Sequence, residues 1–251
     1  MNLPLDIAVR EFDELSMFFG YDYIVNDKIK IKHPRIKEIV EFGEQEYFNF
    51  IYTICSIPSD MKSTLWDMGI DYEEIDDFDL FVMLTRGLSE ECSKFVFCDL
   101  DISSFELAID QTNNERVLVN SDNSIVIDKL LYRVIVDYIR KVHGITPKIE
   151  KSYNELTKRK LIEVDRLKRN TNKNKKQSSI LLPIIVSLVC TEECKYTSLS
   201  IQDVGIYEIF ETIHQVNKKK SACALLQGSY SGMIDTSKIN KEAFNWMKSS
   251  E

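Results

Sequence analysis

The spacing of apolar residues predicts helices along most of the first third of the chain. Segments 5–19 and 34–54 each place an apolar side chain at every third or fourth residue, which predicts an amphipathic helix in each. Between them, apolar and polar residues alternate over 21–32, and this alternation predicts a short hairpin. Shorter helices are predicted downstream, over 61–68 and from Asp71 or the acidic turn 76–79 to Gly87.

The pattern changes to a period of two in the middle of the chain. Within 93–127, runs of β-favouring residues are separated by Asp, Asn and Ser, which predicts a small β element. The predicted strands are 95–98, 105–109, 117–119 and 124–127, with hairpin tips at 113–114 and 121–123. Asp128 then has the position of an N-cap for a helix that Gly144 closes.

A basic stretch follows and separates two apolar parts of the chain. Residues 150–179 contain ten Lys or Arg against four Asp or Glu, with only a thin apolar stripe. This composition predicts an exposed helix that continues into a mobile polar linker over 169–177. Helices are predicted again beyond it, over 180–193, 201–213 and 218–227, before a short tail anchored by Phe244 and Trp246.

These patterns together predict an α+β protein that is predominantly α-helical. A larger N-terminal helical module, 1–149, contains the small β element near 93–127. A basic exposed helix and linker, 150–179, leads to a smaller all-helical C-terminal module, 180–251.

Composition narrows the classes of protein that remain. With 44% hydrophobic residues, the chain has the apolar content of a folded domain. Its net charge of −8 gives no global basic footprint, which makes nucleic acid an unlikely partner. The N-terminus lacks the pattern of a secretory leader, so the six cysteines are expected as free thiols in a reducing cytoplasm. The longest apolar run, 180–190, is about half a membrane span and predicts a buried core segment, with no membrane contact.

One string offers a candidate catalytic site. Residues 95–103 resemble the first motif of haloacid-dehalogenase-type phosphohydrolases, in which an apolar strand ends in two acids. Asp99 would be the nucleophile and Asp101 the acid or base, with magnesium holding the phosphate. Ile102 and Ser103 stand where that family has Gly and Thr, and the helices predicted downstream do not supply a doubly wound sheet. A strand that ends in an acidic turn is the preferred interpretation, and no enzyme activity is predicted.

Cofactor and metal sites are not predicted. Cys190 and Cys194 are spaced to share a helical face, but a zinc site needs about two more ligands than this pair supplies. Core packing is the preferred role of both thiols. The basic residues of 158–176 have no interleaved aromatics for base stacking, so a solvated connection is preferred over a contact with nucleic acid or an acidic partner.

Several strings together carry a resemblance that covers most of the chain. They are IKIKHPRIKEI at 29–39, EFGEQEY at 41–47, PSDMK at 58–62, WDMGID at 66–71, LLQGSYSGMID at 225–235 and NW at 245–246. This order is similar to proteins encoded among the tail genes of tailed phages and prophages of Gram-positive bacteria. The resemblance implies a tail assembly chaperone that binds tape-measure or tail-tube protein, or else a permanent virion subunit of the tail or neck. Such a protein would act in the host cytoplasm, or in the virion, and self-association into a homo-oligomer is left open.

A protein partner needs a docking surface, and aromatic residues dominate such surfaces because they bury large areas at small entropic cost. The C-terminal module carries five candidates. They are Tyr207, Phe210, Tyr230, Phe244 and Trp246. The competing interpretation is that these rings close the module's own core.

Overall fold

The computed structural model describes residues 12–111, 114–120, 122, 124–173, 178–235 and 239–247, and shows an α+β fold that is predominantly helical, as predicted. Its helices are α1 (Glu14–Phe18), α2 (Ile36–Phe42), α3 (Glu44–Cys55), α4 (Lys62–Asp67), α5 (Asp77–Thr85), α6 (Glu90–Val96), α7 (Lys129–Val142), α8 (Glu155–Lys173), α9 (Leu181–Val189) and α10 (Ile206–Tyr230). The strands are β1 (Tyr23–Ile24), β2 (Lys30–Ile31), β3 (Glu106–Ile109), β4 (Arg116–Asn120) and β5 (Ile125–Ile127). Short 3₁₀ turns lie at Pro58–Asp60, Ile102–Ser104, Ser200–Asp203 and Lys241–Phe244.

The β structure forms two antiparallel sheets. Strands β1 and β2 make the predicted hairpin, with Tyr23 opposite Ile31. Strands β3, β4 and β5 form a meander in which β4 is central, and this confirms three of the four predicted strands. The predicted strand at 95–98 is wrong, because its first two residues complete α6, which Ser89 caps. Of the predicted hairpin tips, residues 113, 121 and 123 lie outside the described residues.

The helix boundaries differ from the predicted ones in two places. The predicted helix over 34–54 is two helices, since Gly43 adopts a φ of +116° between α2 and α3. The two helices predicted over 201–213 and 218–227 are one continuous helix, α10. Residues 5–11 of the helix predicted over 5–19 lie outside the described residues.

A single hydrophobic cluster joins the two ends of the chain. It contains buried residues from α3 and α7, such as Ile51 and Ile135, together with Leu188 of α9 and Ile209 of α10. The division into an N-terminal and a C-terminal module stays a prediction, but the two parts share this core.

The C-terminal part is fastened to the N-terminal part by a short backbone pairing. The amide of Ile36 donates to the carbonyl of Val204 (3.0 Å), and the amide of Ile206 donates to the carbonyl of Pro34 (3.1 Å). His33, only 3% exposed, lies beside this pairing, and its Nε2 is 3.4 Å from the amide of Tyr207 in the first turn of α10. An imidazole can accept there only when Nε2 carries no proton.

Helix α8 is docked along one face rather than exposed all round. Ile162 is 3% exposed in a second, smaller cluster, and Asp165 accepts from the amide of Ser63 (2.9 Å) in the first turn of α4. Lys158 is 6% exposed and pairs with Asp71. Residues 169–173, expected in the linker, belong to this helix, while 174–177 lie outside the described residues.

We predict that acid weakens the fold through two histidines, His33, which is buried, and His143, which is half-buried and bonded to the Tyr47 hydroxyl. Burial lowers the pKa of His33 to about 4 and that of His143 to about 4, from an ordinary value of 6.5. Between these values the unfolded chain binds protons that the folded chain excludes, so stability is highest above pH 6.5 and is lost as the pH falls toward 4. For one histidine the full effect is up to about 3 kcal/mol. Urea unfolding at pH 7 and pH 5 measures it.

His33→Gln keeps an acceptor but cannot titrate, so it should reduce the difference between the two unfolding free energies by about half, with His143 supplying the rest. His214→Gln is the control, because His214 is exposed on α10. An unfolding free energy that is the same at both pH values in the native chain would contradict the assignment.

Candidate partner-binding surface

The first backbone amides of α9 donate hydrogen bonds to side chains that lie outside the helix. Glu44, the first residue of α3, accepts through Oε1 from the amides of Ile180 (2.6 Å) and Leu181 (2.8 Å). The Ser179 hydroxyl accepts from the amide of Leu182 (2.9 Å). Pro183 lies in the first turn, where its missing N–H is tolerated. The start of α9 is therefore fixed to α3.

The outer face of α9 is uncharged and mostly apolar, with Ser187 as an exposed polar residue. Leu181 and Leu188 are buried against the main core, whereas Leu182 is 61% and Val186 51% exposed. No residue of Leu181–Val189 is ionisable. Surface helices normally place charged residues on the face that meets water, so an apolar outer face marks a candidate contact site.

The prediction that 180–190 is a buried core segment is therefore correct for only one face of α9. The sequence signal for the other face was the absence of charge from the whole run. A helix without charged residues is either buried completely in its own protein or has one face that contacts a partner. The sequence does not distinguish these two cases, and the structure does. No helix of the described residues is long and apolar enough to cross a membrane.

The five aromatic candidates divide between core and surface. Tyr207 is only 8% exposed and Phe210 packs against the main core, so these two rings hold α10 in place. Tyr230, at the end of α10, is 86% exposed. Phe244 and Trp246 are half-buried, and the Lys219 ammonium lies 5.5 Å from the centre of the Trp246 ring. Whether any of them contacts a partner stays a prediction.

The tail folds back onto the second half of α10. Gly228 makes this possible, since a Cβ there would lie 2.3 Å from Cδ1 of Ile234. The amides of Met233 and Ile234 donate to the Gly228 carbonyl (3.0 and 3.2 Å). Exposed apolar residues that aromatic content did not reveal lie in this C-terminal part of the chain: Leu199, Met233 and Met247.

The candidate phosphohydrolase residues are placed on a helix end and not on a strand end. Asp99 follows α6 with a φ of +73° and is exposed. The Asp101 carboxylate accepts from the amide (2.9 Å) and hydroxyl (2.6 Å) of Ser103, which caps the turn Ile102–Ser104. The strand that would position two carboxylates in the phosphohydrolase motif is thus missing from this segment. Structural capping explains Asp101.

Metal ligation finds no support among the residues that the structure describes. They include no group of three or more His, Cys, Asp or Glu side chains that could hold a metal ion. All six cysteines are free, with Cys190 exposed at the end of α9 and Cys194 half-buried beyond it. The expected core packing of Cys190 is therefore wrong.

A charged cleft of about 260 Å³ lies between the start of α5 and one face of α7. Arg140 donates to the carbonyl of Cys55 (2.9 Å), and Lys129 pairs with Asp76. The Tyr132 hydroxyl in its lining has no hydrogen-bond partner among the described residues. Because the lining has three bases and three acids, the cleft presents no excess of either sign to select a ligand.

The fold and the α9 surface define a helical α+β protein with a candidate site for protein contact. Residues 173–251, which contain α9, α10 and the tail, match the family model described as the YomV second domain, a phage- and prophage-associated family. No curated protein matches the chain, and no solved structure matches it. The matched segment, which is less than half of the chain, is thus similar to a phage-associated domain.

Substitution of two tyrosines of α10 by alanine compares the stability contribution of a core ring with that of a surface ring. Tyr207→Ala should lower the free energy of unfolding by about 3 kcal/mol, because it leaves a cavity beside the main core. Tyr230→Ala should change it by less than about 0.5 kcal/mol, because the ring is exposed. Denaturant unfolding of both variants measures this. Equal losses would show that Tyr230 also packs in the folded chain.

Proposed function

We propose that this chain is a phage tail morphogenesis protein that acts by binding another protein, as a tail assembly chaperone for the tape-measure or tail-tube protein. The observation that supports it best is the uncharged, exposed apolar face of α9. That face lies inside the segment that matches the YomV second domain.

The physical case begins with what α9 presents. Leu182 and Val186 lie one turn apart on the helix, the spacing at which two side chains form a continuous apolar ridge. A ridge of this kind buries its area against a complementary apolar stripe, as in helix-to-groove recognition. The chaperones that the sequence resembles bind tape-measure proteins, which are long and helical. The apolar stripes of those helices would supply such a counterpart.

The attachment of α9 suits a preorganised binding site. Its start is held by Glu44 and its inner face by Leu181 and Leu188, so the outer face is displayed on a fixed helix. A preorganised contact loses little conformational entropy when it binds. Since the face has no ionisable group, its binding should depend weakly on salt.

Val186→Lys tests the surface directly. The ammonium would have to be desolvated against an apolar partner, so recovery of the co-expressed tape-measure or tail-tube protein of the same phage should fall about tenfold. The fold should persist, because lysine is a good helix former and is favourable near a helix C-terminus. Affinity purification with quantification of the partner is the measurement.

Val40→Lys is the matched control, because Val40 is also an exposed helical valine, 61% accessible, on the different helix α2. It should bind like the native chain. Equal binding by all three proteins would exclude α9 as the surface, and failure of the native chain to retain either tail protein would reject the chaperone proposal. Stoichiometric presence of the chain in purified particles would indicate a permanent virion subunit instead.

A further inference from the structure

Helix α8 has two faces that differ in how their charges are satisfied. On the inner face, Lys158 pairs with Asp71 and with Glu73 (3.2 Å). Arg166 and Arg169 both pair with Asp67 of α4. Each of these three bases therefore has an acidic partner.

The outer face of α8 and its two edges carry bases that lack such partners. Arg159, Lys160 and Lys168 are exposed and form no ion pair within 4.0 Å among the described residues. This is unexpected in a chain with eight more acids than bases, since acidic side chains are abundant. The unpaired bases of α8 thus lie away from α4, and Glu155 and Glu163 are exposed on the same helix.

The same outer face carries apolar residues. Leu156 is 65% exposed, Val164 48% and Leu167 66%. At 100° per residue, Leu156, Lys160, Val164 and Leu167 all project away from the buried positions Lys158 and Ile162. Three apolar side chains and Lys160 therefore form a stripe of about three turns, with Arg159 and Lys168 on its two edges.

We propose that the outer face of α8 is a second docking surface, which takes an acidic amphipathic helix of a protein partner. The inference rests on the proposed protein-binding function and adds the chemistry of the partner. Leu156, Val164 and Leu167 would contact the partner's apolar stripe, while Arg159, Lys160 and Lys168 would pair with acids on its flanks.

Charge complementarity favours an acidic protein helix over other anionic partners. Glu163 is exposed on the outer face, and a protein helix can place an uncharged residue opposite it, whereas a closely spaced row of phosphates cannot. The outer face also offers no aromatic ring for stacking on bases. The exposed leucines of α8, in contrast, are stabilised by burial against an apolar counterpart. A protein helix provides that counterpart, whereas a phosphate backbone and solvent do not.

The experiment uses a fluorescein-labelled synthetic peptide of about three heptads with leucine at the core positions and glutamate on the flanks. Fluorescence anisotropy with the full chain should show saturable binding that weakens as salt is raised. A peptide of the same composition with scrambled order, which has the charge but no apolar stripe, should bind at least about tenfold more weakly.

Two matched pairs of variants assign the binding to α8. Lys160→Glu should weaken the peptide affinity about tenfold, whereas Lys195→Glu, the same charge change at another exposed lysine, should have little effect. Leu167→Gln should also weaken it, whereas Leu130→Gln should not, since Leu130 is an equally exposed helical leucine (64%) on α7.

The outcomes separate this inference from the proposed function. Equal affinity of Lys160→Glu and Lys195→Glu, or stronger binding to duplex DNA or to anionic vesicles than to the ordered peptide, would overturn the α8 surface. If the native chain retains a tail protein and the α8 variants retain it equally, the chaperone proposal stands and this inference fails. If no tail protein is retained, the proposed function fails, and the peptide titration still decides whether α8 binds an acidic helix.

Discussion

The placement of the last third of the chain depends on the pairing of residues 33–36 with 204–207. Two backbone hydrogen bonds and the His33 acceptor join segments that are about 170 residues apart in sequence. Gly205 has no side chain at the closest point, where a Cβ would lie 3.0 Å from Nε2 of His33. Without this close approach, Ile206 and Ile209 would not enter the core, and α10 would not support the α9 surface.

A second constraint sets the orientation of α8. Lys62 and Lys158 are both 6% exposed, and each ammonium lies within about 6 Å of the centre of the Tyr72 ring. Lys62 pairs with Glu150 (2.8 Å), and Lys158 pairs with Asp71 and Glu73. Removing one member of such a group would leave a buried charge without compensation. The inner face of α8 is thereby fixed, and its outer bases and leucines face solvent.

Sequence patterns predicted the fold best where the local signal had one interpretation. Asp128 accepts from the amide of Leu131 (2.7 Å) and starts α7 as expected, and the alternation over 21–32 gives the hairpin. They failed where the outcome depends on distant contacts. The apolar string at 95–98 suits a strand, yet α6 continues into it because its face packs in the core, where Val96 and Phe97 are buried.

The candidate surface could be predicted only in part. Aromatic content identified Tyr230, which is exposed, but also Tyr207, whose burial follows from the docking of α10. Leu182 and Val186 were assigned to the core because hydrophobicity gives no information on which face of a helix lacks a neighbour. For α8, the composition revealed an excess of bases, but the separation into paired and unpaired faces appears only in three dimensions.

Helices α9 and α8 are proposed to contact the protein partner, and the three-stranded sheet serves as an internal reference. Hydrogen–deuterium exchange of the chain, alone and saturated with the co-expressed tail protein, measures this for each segment. Added protection should be concentrated in Leu181–Val189 and Glu155–Lys173, with none in the strands β3, β4 and β5. Protection confined to the sheet, with α8 and α9 exchanging as in the free chain, would contradict it.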